Sequence, residues 1–401
     1  EKLEEKQKAW VQEASEKQLP QLQISAKDLR TETVAYEELQ DHYPGRAGEI
    51  VDQLSIDELI ALATGDPAKD QGASALGSAG QTVPGAAAET VNVAEKDSYN
   101  VASIVLADGP AGLRLRSIYQ VREDGSIDGG DFLDGFENGY FAEPKEPTGT
   151  VYHQYCTAIP VGTLLAQSWN LELMKKLGQM IAGEMNEFEV TLWLAPGMSL
   201  HRNPLCGRNF EYYSEDPLLA GMMASAMTLG VQSVPGCGTT IKHYACNNQE
   251  DNRMGSDSIL SERTLREIYL KGFEIAIRNA QPMAMMTSYN LINGVHAANS
   301  YDICTKAARD EWRFEGAIMT DWTTTTDSTA GECTAAGCMK AGNDMVMPGD
   351  IRDHASIRQA LEDGSLDIRE LKRCVYHTVK IILQSNQYED AVSYEKQFNK
   401  S

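Results

Sequence analysis

The chain has 401 residues, of which 42% are hydrophobic and 23% are charged, and its formal net charge at pH 7 is −23. This length accommodates one large α/β domain with appended segments, and the composition is typical of a globular protein. No run approaches the roughly 18–20 apolar residues of a membrane span, so the sequence predicts no membrane partner. The acidic charge disfavours a nucleic-acid partner, which requires a basic surface.

The eight cysteines are scattered along the chain, and no two of them form a Cys-x-x-Cys pair. A chain of this length needs no disulfides for stability, so reduced thiols and a cytoplasmic location are expected. The first residue is Glu1, and no signal-peptide pattern follows it. We therefore interpret the sequence as a piece of a longer polypeptide, for which secretion stays an alternative.

Residues 1–45 are predicted to be a connector to a second domain outside this chain. They contain a polar helical pattern that stops before Pro20, and they end in the turn signal Tyr43-Pro44-Gly45. The pattern Ser55-x-x-Glu58 predicts the start of a helix through a capping box. Residues 64–100 are rich in Gly, Ala, Ser and Asp, which predicts one long loop.

Short apolar runs alternate with helical patterns from residue 101 onwards. Strands are predicted at 103–107, 158–165, 190–194, 238–241, 283–286, 317–319 and 344–347. Helices are predicted to begin at Asn170, Asp216 and Ser261, and a last one includes residues 368–382. Such repeats indicate a parallel sheet, and seven strands with an eighth unrecognised fit a (β/α)8 TIM-type barrel better than an open sheet. We assign the barrel to residues 46–385 and a tail to residues 386–401.

The ends of the predicted strands carry the candidate functional residues. In a (β/α)8 barrel, catalytic groups lie at the carboxyl ends of the strands. Five of six such ends carry side chains that bind hydroxyl groups or transfer protons. They are Asp108 and Arg114 after the first strand, Arg202 and Arg208 after the third, Lys242 and His243 after the fourth, Tyr289 after the fifth, and Asp321 and Trp322 after the sixth.

Several of these residues also have other interpretations. Asp108 precedes Gly109-Pro110 and is compatible with a simple Asx-turn. Arg208 could form an ordinary ion pair with a nearby glutamate. Lys242, if desolvated, could act as the Schiff-base nucleophile of an aldolase. His243 has no second histidine at ligand spacing, so we expect neither a metal site nor a cofactor.

Five segments together resemble the motifs of family-three glycoside hydrolases, the β-glucosidase and β-xylosidase family. They are residues 108–114, 207–217, 242–244, 286–290 and 319–322, in the right order within residues 50–385. The resemblance implies a retaining, exo-acting β-glycosidase, in the first place a β-glucosidase, that forms a covalent glycosyl-aspartate intermediate. β-Xylosidase specificity is the alternative within the family.

The resemblance also implies a role for each candidate residue. Asp321 matches the catalytic nucleophile, which Lys242 and Arg208 are expected to keep ionised at neutral pH. The remaining matches are to substrate-binding positions: Asp108, Arg208, Lys242 and His243 around the sugar hydroxyls, Arg114 in the same motif as Asp108, Arg202 as support for the tip after the third strand, Met286 and Tyr289 beside the nucleophile, and Trp322 as the stacking aromatic.

A retaining glycosidase needs a second carboxyl group that protonates the leaving oxygen. The resemblance places that glutamate on a separate α/β sandwich domain, and no glutamate in this chain matches it. One branch of the family uses a histidine in a Gly-His-Gly loop, which residues 244–250 lack. The leader before the barrel resembles circularly permuted members, whose sandwich domain comes first.

We therefore expect two partners. One is a small oligosaccharide or an aryl or alkyl β-glycoside, and the other is a second domain, upstream or on another chain, that supplies the acid. A homo-oligomer is also compatible with the sequence. The remaining alternative is a sugar-binding barrel without turnover, because its acid is missing.

Overall fold

The computed structural model describes residues 38–67, 82–96, 99–128, 149–325 and 333–388, with a few isolated positions before residue 37. The chain divides into two compact units, Glu1–Tyr36 and Glu37–Ser401. All elements described below belong to the second unit. The limits of the barrel at residues 46 and 385 stay a prediction.

Fourteen short strands occur within the described residues. They are β1 Ala88–Glu89, β2 Val93–Lys96, β3 Tyr99–Val101, β4 Val105–Ala107, β5 Ile118–Val121, β6 Ile127–Asp128, β7 Thr150–His153, β8 Leu192–Trp193, β9 Gly238–Tyr244, β10 Asp257–Ser258, β11 Ala284–Thr287, β12 Leu291–Ile292, β13 Val295–His296 and β14 Ala317–Met319.

The main sheet has the order β1-β4-β8-β9-β11-β14. Its strands are parallel from β4 to β14, whereas β1 is antiparallel to β4. Isolated bridges continue the sheet from Met319 to Met345, from Val346 to Thr64, and from Gly65 to Thr90, which follows β1. Six strands and two short segments thus close a ring, which confirms a (β/α)8 barrel. The barrel is degenerate because one strand runs antiparallel and two segments pair only through single bridges.

Two sequence-based predictions were wrong. Residues 158–165 do not form a strand, and Gly162–Ala166 is helical instead. Pro160 interrupts the apolar run and cannot donate to a sheet. Residues 64–100 are not one long loop, since they contain Thr64 and Gly65 of the ring and β1 to β3. Strands of two to four residues are too short to show a periodic pattern. The part of this segment from 68 to 81 lies outside the described residues.

Most of the described helices alternate with the strands of the ring along the chain. They are α1 Gly45–Val51, α2 Ile56–Leu62, α3 Gly162–Ala166, α4 Leu171–Glu187, α5 Pro217–Val231, α6 Glu262–Thr264, α7 Lys271–Ala280, α8 Ala335–Ala341, α9 Ile351–Glu362 and α10 Ile368–Ile382, with wide π-type turns at Leu265–Tyr269 and Asp302–Glu311. None of the described helices is long and apolar enough to cross a membrane.

Polar caps begin several of these helices where the sequence predicted them. The Ser55 side chain accepts a hydrogen bond from the Glu58 backbone N–H, and the Glu58 carboxylate accepts one from the Ser55 N–H at 2.7 Å. Asn170 and Asp216 cap α4 and α5 in a similar way. These contacts satisfy backbone donors that a helix leaves unpaired at its start.

Residues of the parallel strands are buried on both faces of the sheet. Val105 and Ala107 belong to one buried apolar cluster, and Leu106 belongs to a second one. In β11 the alternation is the same, because Met285 lies in the first cluster and Met286 in the second. Burial on both faces explains why these strands read as continuous apolar runs in the sequence. It also leaves the strand ends as the place for polar residues.

Candidate active site

Four parallel strands of the main sheet, β4, β9, β11 and β14, bring candidate residues to the same edge of the sheet. Asp108 directly follows β4, and Lys242 and His243 lie near the carboxyl end of β9. Tyr289 follows β11 by two residues, and Asp321 follows β14 by two residues. Because these strands run parallel in one sheet, with β8 between β4 and β9, their carboxyl ends lie at one mouth of the barrel.

Asp321 is a buried carboxylate with one oxygen left free. The residue is only 7% exposed. The Trp322 backbone N–H donates to its Oδ1 at 2.7 Å, and the Tyr289 phenol acts to lower the pKa of the carboxyl group. Its Oδ2 has no hydrogen-bond partner among the described residues, and the Nε2 atom of His243 lies 3.6 Å away. A held carboxylate with one free oxygen is suited to attack a bound substrate.

The pKa of Asp321 is raised above the ordinary value of a carboxyl group. Burial is the largest cause, and the positive charges of Arg208 and Lys242 lower the pKa without cancelling the effect of burial. The two cations therefore act in the expected direction, but the net shift is upward. As the pH falls, Asp321 is therefore protonated, and loses its nucleophilic form, at a higher pH than a solvated aspartate would.

Asp108 forms two ion pairs at the mouth of the barrel. The Nζ of Lys242 donates to its Oδ1 at 2.7 Å, and a guanidinium nitrogen of Arg114 donates to its Oδ2 at 2.6 Å. Burial acts to raise the pKa of Asp108, but the two cations outweigh it and hold the pKa well below the usual range. Asp108 is therefore ionised at working pH and suited to accept hydrogen bonds, not to act as a general acid.

Arg208 and Glu211 form a bidentate pair beside this cluster. The guanidinium donates to both carboxylate oxygens of Glu211, at 2.7 Å and 2.8 Å. Glu211 also lies 3.9 Å from the Nζ of Lys242, whose side chain is almost fully buried. The ordinary ion-pair interpretation of Arg208 is thus partly correct, and the pair sits within the candidate site.

His243 is buried and is contacted by groups on both sides of its ring. Its Nδ1 lies 3.1 Å from the Tyr212 hydroxyl. Burial lowers the pKa of His243 well below its usual value, and the charges of Arg208, Lys242 and Arg253 lower it further. The imidazole is therefore neutral at working pH.

Beyond Tyr212, a polar chain continues to the loop after β9. The Asn247 amide nitrogen donates to the Tyr212 hydroxyl oxygen at 3.0 Å and to Glu250 at 3.1 Å. Arg253 donates to the other oxygen of Glu250 at 3.0 Å, and its guanidinium lies 4.6 Å from the centre of the Tyr289 ring. The chain thus runs from His243, whose Nε2 lies 3.6 Å from Asp321, to the ring of Tyr289.

Trp322 and Arg202 are placed differently from the expected arrangement, whereas the position of Met286 beside the nucleophile stays a prediction. Trp322 is 9% exposed, and its indole N–H donates to the Ala87 carbonyl, so its ring is largely enclosed instead of forming an open platform. Met286 is fully buried and pairs with Lys242 and Met319 in the neighbouring strands. Arg202 is exposed and has no side-chain hydrogen bond or ion pair to the described residues, so it does not support the tip after the third strand.

Sequence reasoning missed the contributions of Tyr212, Asn247, Glu250 and Arg253. Tyr212 lies inside a quoted motif, but nothing in the motif shows that its hydroxyl reaches His243. Glu250 and Arg253 are three residues apart in a polar loop after a strand end, and this spacing could have indicated an ion pair near the site. No group of three or more His, Cys, Asp or Glu side chains in the described part of the chain is arranged to hold a metal ion.

Comparison with known proteins identifies the family. Residues 144–381, more than half of the chain, match the family model described as the glycosyl hydrolase family 3 N-terminal domain. The chain belongs to glycosyl hydrolase family 3. The family membership confirms the resemblance that the five motifs carried, and it removes the aldolase interpretation of Lys242, whose amine is already paired with Asp108.

Among its family 3 relatives, beta-glucosidase A of Butyrivibrio fibrisolvens is 50% identical over 166 residues, which are 41% of this chain and 20% of the relative. An exo-alpha-(1->6)-L-arabinopyranosidase of Bifidobacterium breve is 42% identical over 226 residues, 56% of this chain and 29% of the relative. The chain therefore spans less than a third of these two relatives.

A solved structure of beta-glucosidase 3B from Thermotoga neapolitana, in complex with alpha-D-glucose, is similar in fold. Its TM-score to this chain is 0.71 at 38% sequence identity. The similarity covers 89% of this chain and 46% of the Thermotoga chain. Nearly all of this chain thus has its counterpart in about half of a beta-glucosidase.

Proposed function

We propose that this chain is the barrel part of a retaining exo-β-glucosidase in which Asp321 is the nucleophile. The observation that carries the proposal is the geometry around Asp321, a buried carboxylate with a free Oδ2 among hydroxyl-binding groups from three other strands. Attack of this carboxylate on the anomeric carbon would form a glycosyl-aspartate, which water then hydrolyses. Asp108, Lys242 and Arg208 would hold the hydroxyls of the sugar.

The leaving oxygen needs a proton from another carboxylic acid, whose pKa must be raised. Asp108 is unsuited because its pKa is held well below the usual range, and Glu211 is engaged by Arg208 on both oxygens. We therefore propose that the acid lies on a second domain outside this chain, and that the permuted domain order stays the favoured arrangement. The short span of the chain relative to its relatives supports this division.

The eight cysteines are all free thiols, and seven of them are buried. This pattern supports a reducing compartment, so we propose the cytoplasm as the place of action.

The test uses an aryl β-glucoside with an activated leaving group, which needs little acid assistance, and a 2-fluoro-glucoside that traps the covalent intermediate. We expect turnover by the chain, acceleration by azide, and labelling of Asp321 found by peptide mass analysis. In Asp321→Asn, activity should fall by a factor on the order of 10⁴ or more. Circular dichroism of the variant serves as the folding control.

A chain that binds the glucoside without turnover or labelling, even with azide, would be a sugar-binding barrel and would contradict the proposal. The same assay with aryl β-xyloside and aryl α-L-arabinopyranoside determines which glycosyl group the chain prefers. The second substrate is included because a relative with 42% identity is named as an arabinopyranosidase. We expect the highest kcat/KM for the β-glucoside.

A further inference from the structure

The loop after β9 lacks the Gly-His-Gly sequence of one family branch, yet three of its residues reach the candidate site. Asn247 is buried and its amide nitrogen contacts both Glu250 and Tyr212. These contacts have a consequence for His243, because each one restricts which atom can carry a proton.

The direction of the hydrogen bonds is set from the Glu250 end. An ionised carboxylate can only accept hydrogen bonds, and Glu250 already accepts one from Arg253. The Asn247 atom that lies 3.1 Å from Glu250 must therefore be the amide NH₂, since the amide oxygen would meet the carboxylate with lone pair against lone pair. The second N–H of the same group then points to the Tyr212 hydroxyl oxygen.

Tyr212 transmits this restriction to His243. Because its oxygen already accepts a hydrogen bond from Asn247, its own O–H proton is available to donate to the His243 Nδ1 at 3.1 Å. An Nδ1 atom that accepts a hydrogen bond carries no proton, so the proton of the neutral ring is on Nε2. The Nε2 atom faces the free Oδ2 of Asp321 at 3.6 Å.

We propose that Glu250, Asn247 and Tyr212 are positioning residues that hold His243 as the Nε2–H tautomer and so direct an N–H toward the nucleophile and the sugar hydroxyl beside it. In the other tautomer, a nitrogen lone pair would face the carboxylate oxygen and repel it. The distance of 3.6 Å is too long for a direct hydrogen bond and leaves the N–H available to an oxygen of the substrate.

The catalytic meaning of this inference rests on the proposed glycosidase function, but the tautomer can be measured without any activity. Long-range ¹H–¹⁵N spectra of the chain with ¹⁵N-labelled histidine distinguish the protonated nitrogen from the unprotonated one. We expect His243 to show a proton on Nε2 and none on Nδ1, with assignment by a His243→Gln variant. A proton on Nδ1 in the unsubstituted chain would overturn the inference.

Tyr212→Phe removes the donor to Nδ1 and should give a mixture of the two tautomers. Its kcat/KM for the activated aryl glucoside should fall about tenfold, the effect of one hydrogen bond. The acidic limb of its pH profile should move to higher pH, because Asp321 loses a nearby N–H. The charged groups that face His243 in this profile are Arg208, Lys242, Arg253 and Asp321.

The matched control is Tyr213→Phe, which removes the hydroxyl of the adjacent buried tyrosine and leaves the Tyr212 hydroxyl in place. It should keep the tautomer and the pH profile of the unsubstituted chain. Glu250→Gln, at a partly exposed position, is the second variant, and it should also mix the tautomers because a glutamine can donate as well as accept.

Tautomer spectra of Tyr212→Phe and Glu250→Gln that match the unsubstituted chain would show that the chain of contacts does not set the tautomer. If Asp321 is never labelled by the fluoro-glucoside, the proposed function fails while the tautomer spectra still decide this inference.

Discussion

At the scale of single residues, burial competes with charge around Asp321. The carboxylate is enclosed, which raises its pKa, while Arg208 and Lys242 act against that shift. Burial and charge also compete at Asp108, but there the cations prevail because Lys242 and Arg114 both contact its carboxylate oxygens directly. Two aspartates at the same edge of the sheet therefore differ in pKa. Asp321 has a raised pKa and is suited to be the nucleophile, whereas Asp108 stays ionised.

Arg208→Met should move the acidic limb of the pH profile to higher pH. Arg208 lowers the pKa of Asp321, and its loss also leaves the negative charge of Glu211 uncompensated. Both changes raise the pKa of Asp321, so activity is lost earlier as pH falls. The measurement is kcat/KM for an activated aryl glucoside as a function of pH. Arg263→Met, which removes an exposed arginine paired with Glu267, is the control and should leave the limb in place.

At the scale of secondary-structure elements, a buried ionic cluster ties β14 to the helices around it. The fully buried Asp344 accepts hydrogen bonds from Arg309 at 2.5 Å and from the Ile318 backbone N–H at 2.7 Å. Its other oxygen lies 3.1 Å from the Nδ1 of His377 on α10. Arg309 also donates to the Gly316 carbonyl. This cluster fixes the strand whose carboxyl end holds Asp321.

Arg309→Met should destabilise the chain by about 3–5 kcal/mol, because it leaves the Asp344 carboxylate buried without its cation. Burial and the charge of Arg309 lower the pKa of His377 to about 4. Without Arg309 that pKa should rise, so His377 can gain a proton and pair with Asp344. The stabilisation from a raised histidine pKa is present at low pH and is lost as pH rises through it.

The loss in Arg309→Met should therefore be smaller at about pH 5.5 than at about pH 8, as measured by urea unfolding at both values. Equal losses at the two values would contradict the role given to His377. Arg263→Met serves again as the control, since surface ion pairs contribute little to stability.

At the scale of the whole molecule, the chain carries a net charge of −23 while its candidate site gathers cations. The acidic surface repels itself, and the buried pairs of the site are screened by salt much less than exposed charges. Surface carboxylates thus affect the stability of the folded chain, whereas the buried cations of the site affect the pKa values of its aspartates.

We expect the melting temperature to rise by a few degrees when NaCl is increased from about 10 mM to about 150 mM. The Debye length falls from about 30 Å to about 8 Å over this range, which weakens the repulsion among surface carboxylates in the folded state. The measurement is a thermal scan at pH 7, with choline chloride as a control for specific ion effects. A melting temperature that falls with salt would show that favourable surface ion pairs outweigh the repulsion.

Local sequence determined the strands that carry the site and the residues at their ends. Asp108, Lys242 and Asp321 each stand at the end of a buried apolar run, so the chain itself places them at the carboxyl edge of a parallel sheet. The motif segments also indicated the family. These features depend on neighbours within a few positions, which is the range over which sequence patterns carry information.

Only the tertiary structure decided how the ring closes and how the site is tuned. Thr64 and Val346 pair although they are far apart in the chain, and each belongs to a segment too short to show a period. The upward pKa shift of Asp321 follows from enclosure by several elements. The chain from Glu250 to His243 depends on a hydroxyl from a different loop. These properties arise from contacts between distant segments, which local patterns do not contain.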